Sequence, residues 1–218
     1  MKIVSVKQLI FSASLIVLNI LLLVIIITQD KNYFLQKFVE HNVYVNFSED
    51  QSGVQQKFYQ IQDYLALKTN NLDQQFFSRE DLSHLQDVRN IYLIIYFLTI
   101  CLVGILIIGF IKTKKELIRA LKLSVVIVMV IIILLLLFII PNFNNFFLVF
   151  HQLLFPNGYW QLDPASSNLI KYFLNNIFFE TFSLIVFWVL LLTLSEYIFS
   201  IIYAKVSIRW KKTPQQKS

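Results

Sequence analysis

The apolar pattern of this chain is dominated by four long runs, residues 9–28, 91–111, 123–140 and 182–203, in which Glu196 is the one formal charge. Each is about the 20 residues that a helix needs to cross a hydrocarbon core of about 30 Å. The pattern predicts an all-α membrane protein of four transmembrane helices, read as a single integral membrane domain over residues 1–218. The first run resembles a secretory signal but is too long and lacks a small-x-small cleavage site before Gln29, so it is expected to be an uncleaved anchor.

The segments between the runs are patterned differently. In the roughly 60-residue loop 29–90, VYVNF at 43–47 alternates like a short strand, and residues 49–53 read as a turn. Residues 54–67 then place Phe58, Ile61, Tyr64, Leu65 and Leu67 on one helical stripe. Ser78 and Asp81 have capping-box spacing, so a helix is expected to begin there and run unbroken into the second span. His84 precedes Ile91 by seven residues, about 10 Å above the hydrocarbon edge at 1.5 Å per residue. In the loop 141–181, residues 143–155 carry Phe143, Phe146, Phe147, Phe150 and Phe155. That stretch is too short to span and too apolar to be solvated, which predicts a re-entrant or interfacial segment holding His151. A Pro156–Gly158 turn ends it, and Tyr159 and Trp160 suit the interface belt.

Charge changes the picture from composition to orientation. The net charge of +6 is not spread evenly. Residues 1–8, 112–122 and 204–218 hold twelve cations and one acid, Glu116, whereas 29–90 and 141–181 hold seven cations and eleven acids. The positive-inside rule therefore places both termini and the basic loop in the cytoplasm and the two long loops outside. Insertion and anionic lipid headgroups explain the basic flanks better than nucleic acid does. With four glycines and a single cysteine, Cys101, the chain has no glycine-rich phosphate loop, no intrachain disulfide and no cysteine metal site.

Three histidines, His41, His84 and His151, all fall in the outer loops. Singly, each reads as an ordinary interfacial or packing residue. Together, His84 and His151 bring two groups that exchange protons near neutral pH to the depth of lipid ester bonds, and His151 does so inside a Phe-rich segment where a polar ring is costly. Glu80, Asp81 and Asp87 lie within a helical turn of His84 and are candidates to orient it. Asp81 is already engaged by the capping box, and a solvated face accounts for Glu80. Arg89 is a candidate anchor for a carbonyl or phosphate oxygen. Glu196 falls near the cytoplasmic end of the fourth span, expected to snorkel or pair with a basic loop residue. There is no Gly-x-Ser-x-Gly elbow and no His-Glu-x-x-His. His151 to Phe155 fits one element of abortive-infection-type intramembrane proteases, but the accompanying acidic motif is missing. No metal site or cofactor is expected, and bis-histidine haem would need ligands deeper in the helices.

Two segments carry a resemblance. FSREDLSHLQDVR at 77–89 and FHQLLFPNGYWQLD at 150–163 resemble, in order and within the same four-helix layout, the two motifs of the bacterial lipoprotein intramolecular transacylase (Lit) family. Ser167-Asn168 and residues 174–176 depart from the acid and proline that often follow the second motif. The resemblance implies an enzyme that moves the sn-2 acyl chain of a diacylglyceryl-cysteine lipoprotein to the cysteine α-amine, giving the lyso form. It maps the catalytic histidine pair onto His84 and His151 and draws Trp160 and Asp163 into substrate positioning, beside Glu80, Asp87 and Arg89. Diacylglyceryl-modified lipoproteins and membrane lipids are the implied partners, and the bacterial cell membrane the location. One neutral and one protonated imidazole would give a bell-shaped pH profile. The alternative is a non-enzymatic membrane sensor or scaffold whose histidines only pack.

Overall fold

The computed structural model describes residues 4–212, with side chains through residue 206. Lys2 and Lys217, counted among the basic flanks, lie outside the described residues, as do the side chains of Arg209, Lys211 and Lys212.

Eight α-helices are present among the described residues: α1 Val6–Thr28, α2 Lys31–Glu40, α3 Gln51–Leu65, α4 Arg79–Lys112, α5 Lys114–Leu134, α6 Phe143–Leu154, α7 Leu169–Tyr172 and α8 Asn175–Lys212. Four helices are long and apolar enough to cross a membrane, one for each expected run. No strand occurs among the described residues. Val43–Asn46, expected as a strand, is a 3-10 helix. Asn42 enters it at φ 53°, a left-handed conformation that turns the chain back after α2 and prevents an extended start. The expected turn at 49–53 is instead the start of α3, where the Asp50 side chain caps Gly53 N–H at 3.0 Å. No expectation covered α2.

The described residues fold as two compact units, one within residues 4–23, 99–135 and 186–212, the other of residues 24–98 and 136–185. In the first, Phe11, Leu117 and Ala120 form a small apolar core, and Ser12 Oγ donates to the Ala120 carbonyl at 3.0 Å. Gly109 makes room there: a Cβ would lie 2.6 Å from the Phe11 ring, which would have to shift. Glu196 accepts from Asn19 Nδ2 at 3.0 Å, and no basic partner for it is found among the described side chains.

The second unit has a larger core of Phe34, Phe38, Phe58, Ile61, Phe77 and Tyr172. Phe38 and Phe58 meet edge to face at 4.7 Å, and Tyr172 donates to the Val54 carbonyl at 2.8 Å. The capping box forms as expected: Asp81 N–H donates to Ser78 Oγ at 3.0 Å and Ser78 N–H to Asp81 at 3.1 Å. From there α4 runs 34 residues without interruption. α5 is followed by a π-helical stretch at Leu135–Ile139 and a 3-10 turn at Ile140–Asn142. Pro141 supplies no N–H and crowds the preceding turn, which disrupts regular α-helical bonding before α6 begins.

Candidate functional site

α4 and α6 bring the two expected histidines together. The rings of His84 and His151 have centroids 6.3 Å apart, inclined at 38°. His151 is 6% exposed, with Phe147 at 4.0 Å, Trp160 at 5.2 Å, Phe155 at 5.7 Å and Phe178 at 5.9 Å around its ring. Phe155 also meets His84 edge-on at 4.7 Å, so one phenyl ring touches both imidazoles. An aromatic wall of this kind excludes water without offering a polar partner.

The ring nitrogens are not equivalent. His151 Nδ1 lies 2.8 Å from the Phe147 carbonyl, which can only accept. That contact fixes the Nδ1–H tautomer and leaves Nε2 with the lone pair. His84 Nδ1 is buried with no hydrogen-bond partner among the described residues. His84 stands on the polar head of α4, ahead of the apolar segment 91–111. Burial, reinforced by repulsion from His151, lowers its pKa to about 4 against the pull of Asp87 and Asp81. It is therefore a neutral imidazole at physiological pH.

Asp87, one turn along α4, accepts from Asn157 Nδ2 at 2.7 Å. Trp160 is placed against His151 as described. The other positioning candidates are not brought to the pair. Arg89 donates to the Thr69 carbonyl at 2.9 Å and to Asn70 Oδ1 at 2.6 Å, with its guanidinium 4.3 Å over the Tyr64 ring, so it ties the 69–70 loop instead. Glu80 is exposed, and Asp163 closes a turn through Ala165 N–H at 2.9 Å. Asp81 is fully buried and accepts from Ser167 Oγ and from Asn168 N–H at 3.1 Å as well as from Ser78. The Ser167-Asn168 departure thus serves to bind the capping carboxylate.

His41 stands apart, at 2.9 Å from Glu180. Glu40, His41 and Glu180 have the spacing of a metal cluster, but Lys37 Nζ already bridges the two carboxylates at 2.6 and 2.8 Å. Three residues at the site were not singled out from sequence: Phe155 as a contact of both rings, Phe178 and Asn157. Phe155 carried a signal, lying four residues after His151 and therefore on its face; Phe178 carried none.

These features define an all-helical integral membrane protein with a desolvated histidine pair. Residues 9–179 match the family described as "Lipoprotein intramolecular transacylase Lit", and the chain belongs to that family. It is thus an acyltransferase, and the scaffold reading falls. The membrane integral Lit from Bacillus cereus has a similar fold, with a TM-score of 0.80 at 22% identity over 92% of this chain and 96% of that one. A histidine-to-alanine variant of the same protein superposes with a TM-score of 0.79, again at 22% identity, over 93% and 94% of the two chains. A histidine-to-arginine variant gives 0.76 at 22% identity, over 92% and 93%. Among curated proteins no match is found.

Proposed function

We propose that His84 and His151 carry the intramolecular transfer of the sn-2 acyl chain of a diacylglyceryl-cysteine lipoprotein to its own α-amine. The observation that carries this reading is the 6.3 Å juxtaposition of two imidazoles in an aromatic wall. Nucleophile, ester and leaving group all belong to one substrate, so a serine or cysteine nucleophile is not needed. The protein has to hold the amine against the ester carbonyl, where intramolecularity offsets much of the barrier.

The ring environments support a division of roles. His151, with Nδ1–H held by Phe147, presents a basic Nε2. The α-ammonium first loses one proton to solvent. The free amine attacks the ester carbon, a C–N bond forms, and the remaining excess N–H proton passes to His151. His151 then delivers it to the glycerol oxygen as the C–O bond breaks, leaving an amide and a free glycerol hydroxyl. Neutral His84 donates a hydrogen bond to the oxyanion, as an imidazole kept uncharged by its surroundings can do. A neutral His84 removes the need for a protonated partner. The rate is therefore expected to rise with pH until the substrate's own α-amine, with a pKa of about 8, is free, with no alkaline limb to about pH 9, in place of the bell.

The positive-inside distribution supports a site facing outward, with Trp160 in the interface and both termini in the cytoplasm. The test is expression in a bacterium whose lipoproteins are otherwise diacylglyceryl-modified with a free amine, followed by fragmentation of the N-terminal lipopeptide. Intact mass does not change, because product and substrate are isomers. An N-acyl, mono-ester peptide that disappears with His84→Ala and with His151→Ala supports the reading. An unchanged diacylglyceryl peptide beside verified membrane protein overturns it.

A further inference from the structure

Residues 155–160, directly after α6, meet α4 through a polar contact close to the histidines. Asn157 Oδ1 accepts from Tyr159 N–H at 3.1 Å, which identifies that end of the amide as oxygen and turns Nδ2 outward. Nδ2 then donates to Asp87 Oδ2 at 2.7 Å. The bond is charge-assisted and lies at the solvent-exposed edge of the site. Its two ends are well placed to matter. Asp87 lies three residues beyond His84, on the same face of the helix. Asn157 lies between Phe155, which touches both imidazoles, and Trp160, which touches His151. Gly158, at φ 79°, lets the chain turn back within this short distance. Its internal bonds, Gly158 N–H to Phe155 at 3.3 Å and Gln161 N–H to Gly158 at 3.1 Å, close residues 155–161 on themselves, and farther along the same loop Ser167 and Asn168 tie it to Asp81.

We propose that Asn157 and Asp87 form a latch that holds loop 155–160 over the imidazole pair, and that both are positioning residues for acyl transfer. The latch sets the separation of the rings and keeps Phe155 and Trp160 against them. Neither side chain touches the reacting atoms. The proposal rests on the histidine-pair reading for its kinetic consequence, but the geometry can be tested without turnover.

The charge swap is the decisive experiment. Asn157→Asp places two carboxylates face to face and opens the latch. Combining it with Asp87→Asn restores one donor and one acceptor with the same net charge. The readouts are the rate of N-acyl lipopeptide formation, thermal stability, and the titration of the His84 ring by NMR in the unliganded protein. The charged or titratable groups acting on His84 are His151 across the loop and Asp87 and Asp81 on its own helix.

Asn157→Asp is expected to slow transfer at least tenfold with stability nearly unchanged, and to raise the His84 titration point as water enters. The double variant should recover to within about threefold of the parent rate and return the titration towards the parent's. Full activity and an unmoved His84 titration in Asn157→Asp would overturn the latch, as would a double variant no better than the single. A parent that makes no N-acyl product but shows the expected His84 shifts would sink the transacylase reading and leave the latch standing.

Discussion

A histidine nitrogen buried without a partner makes the ring resist protonation, and His84 has a titration point of about 4 in consequence. In the unfolded chain the ring returns to about 6.5. Between those values the unfolded state binds a proton that the folded state refuses, so stability is full above about pH 6.5 and falls as the pH drops through about 4. The loss is at most about 3 kcal/mol. Thermal unfolding in detergent from pH 7 to 4 checks it, and His84→Gln should flatten the decline. Asp81 makes a different prediction at the same scale. It satisfies Ser78, Ser167 and Asn168 from a fully buried position, so Asp81→Ala leaves donors orphaned and should cost about 3 kcal/mol. Activity measured per folded molecule should survive, because Asp81 orders α4 and α7 without touching the imidazoles.

α3 ends in a motif that glycine normally completes. Lys68 N–H reaches the Asp63 carbonyl at 2.9 Å and Leu67 N–H the Tyr64 carbonyl at 3.2 Å, the paired bonds of a Schellman cap. Its left-handed position is filled by Leu67 at φ 63°. Leu67→Gly should stabilise the protein by about 0.5–1 kcal/mol, read as a raised melting temperature. Gly109 gives the opposite expectation. A Cβ placed 2.6 Å from the Phe11 ring overpacks the contact, so Gly109→Ala should cost about 1–3 kcal/mol, and Phe11→Leu should recover part of it.

These elements also show what the sequence makes legible. The four long helices follow from uninterrupted apolarity, and the start of α4 from Ser78 and Asp81, because both signals are local. The 3-10 turn at Val43–Asn46 reads as a strand because alternation over five residues fits one, and nothing in that window shows that Asn42 turns the chain left-handed. Arg89 escapes for a related reason. Helical position puts it near His84 in sequence, but its partners, Thr69 and Asn70, come from a loop whose path is set by tertiary contacts. The histidine pair is legible as two motifs, whereas Phe178 and Asn157 acquire their roles only when distant segments meet.

At the scale of the whole molecule the charge distribution predicts orientation. With Cys101 replaced by serine, Ser52→Cys should react with a membrane-impermeant maleimide in intact cells. Lys115→Cys should react only after the membrane is opened. Equal labelling of both before opening would reverse or abolish the assigned topology.

The unbroken α4 has a mechanical consequence. A continuous helix is a rigid ruler, with the His84 ring at one mark and the apolar segment 91–111 at another. Seven residues separate the two marks at 1.5 Å each, about 10 Å along the helix. When the bilayer thickens, the helix has to tilt or the lipids have to compress, and the ring shifts relative to the glycerol backbone of its substrate. Reconstituted in vesicles of graded acyl-chain length, the enzyme should therefore show a turnover maximum at one thickness and lose activity on both sides of it. A membrane that changes its lipid composition with temperature would then adjust lipoprotein acylation without any change in the amount of enzyme.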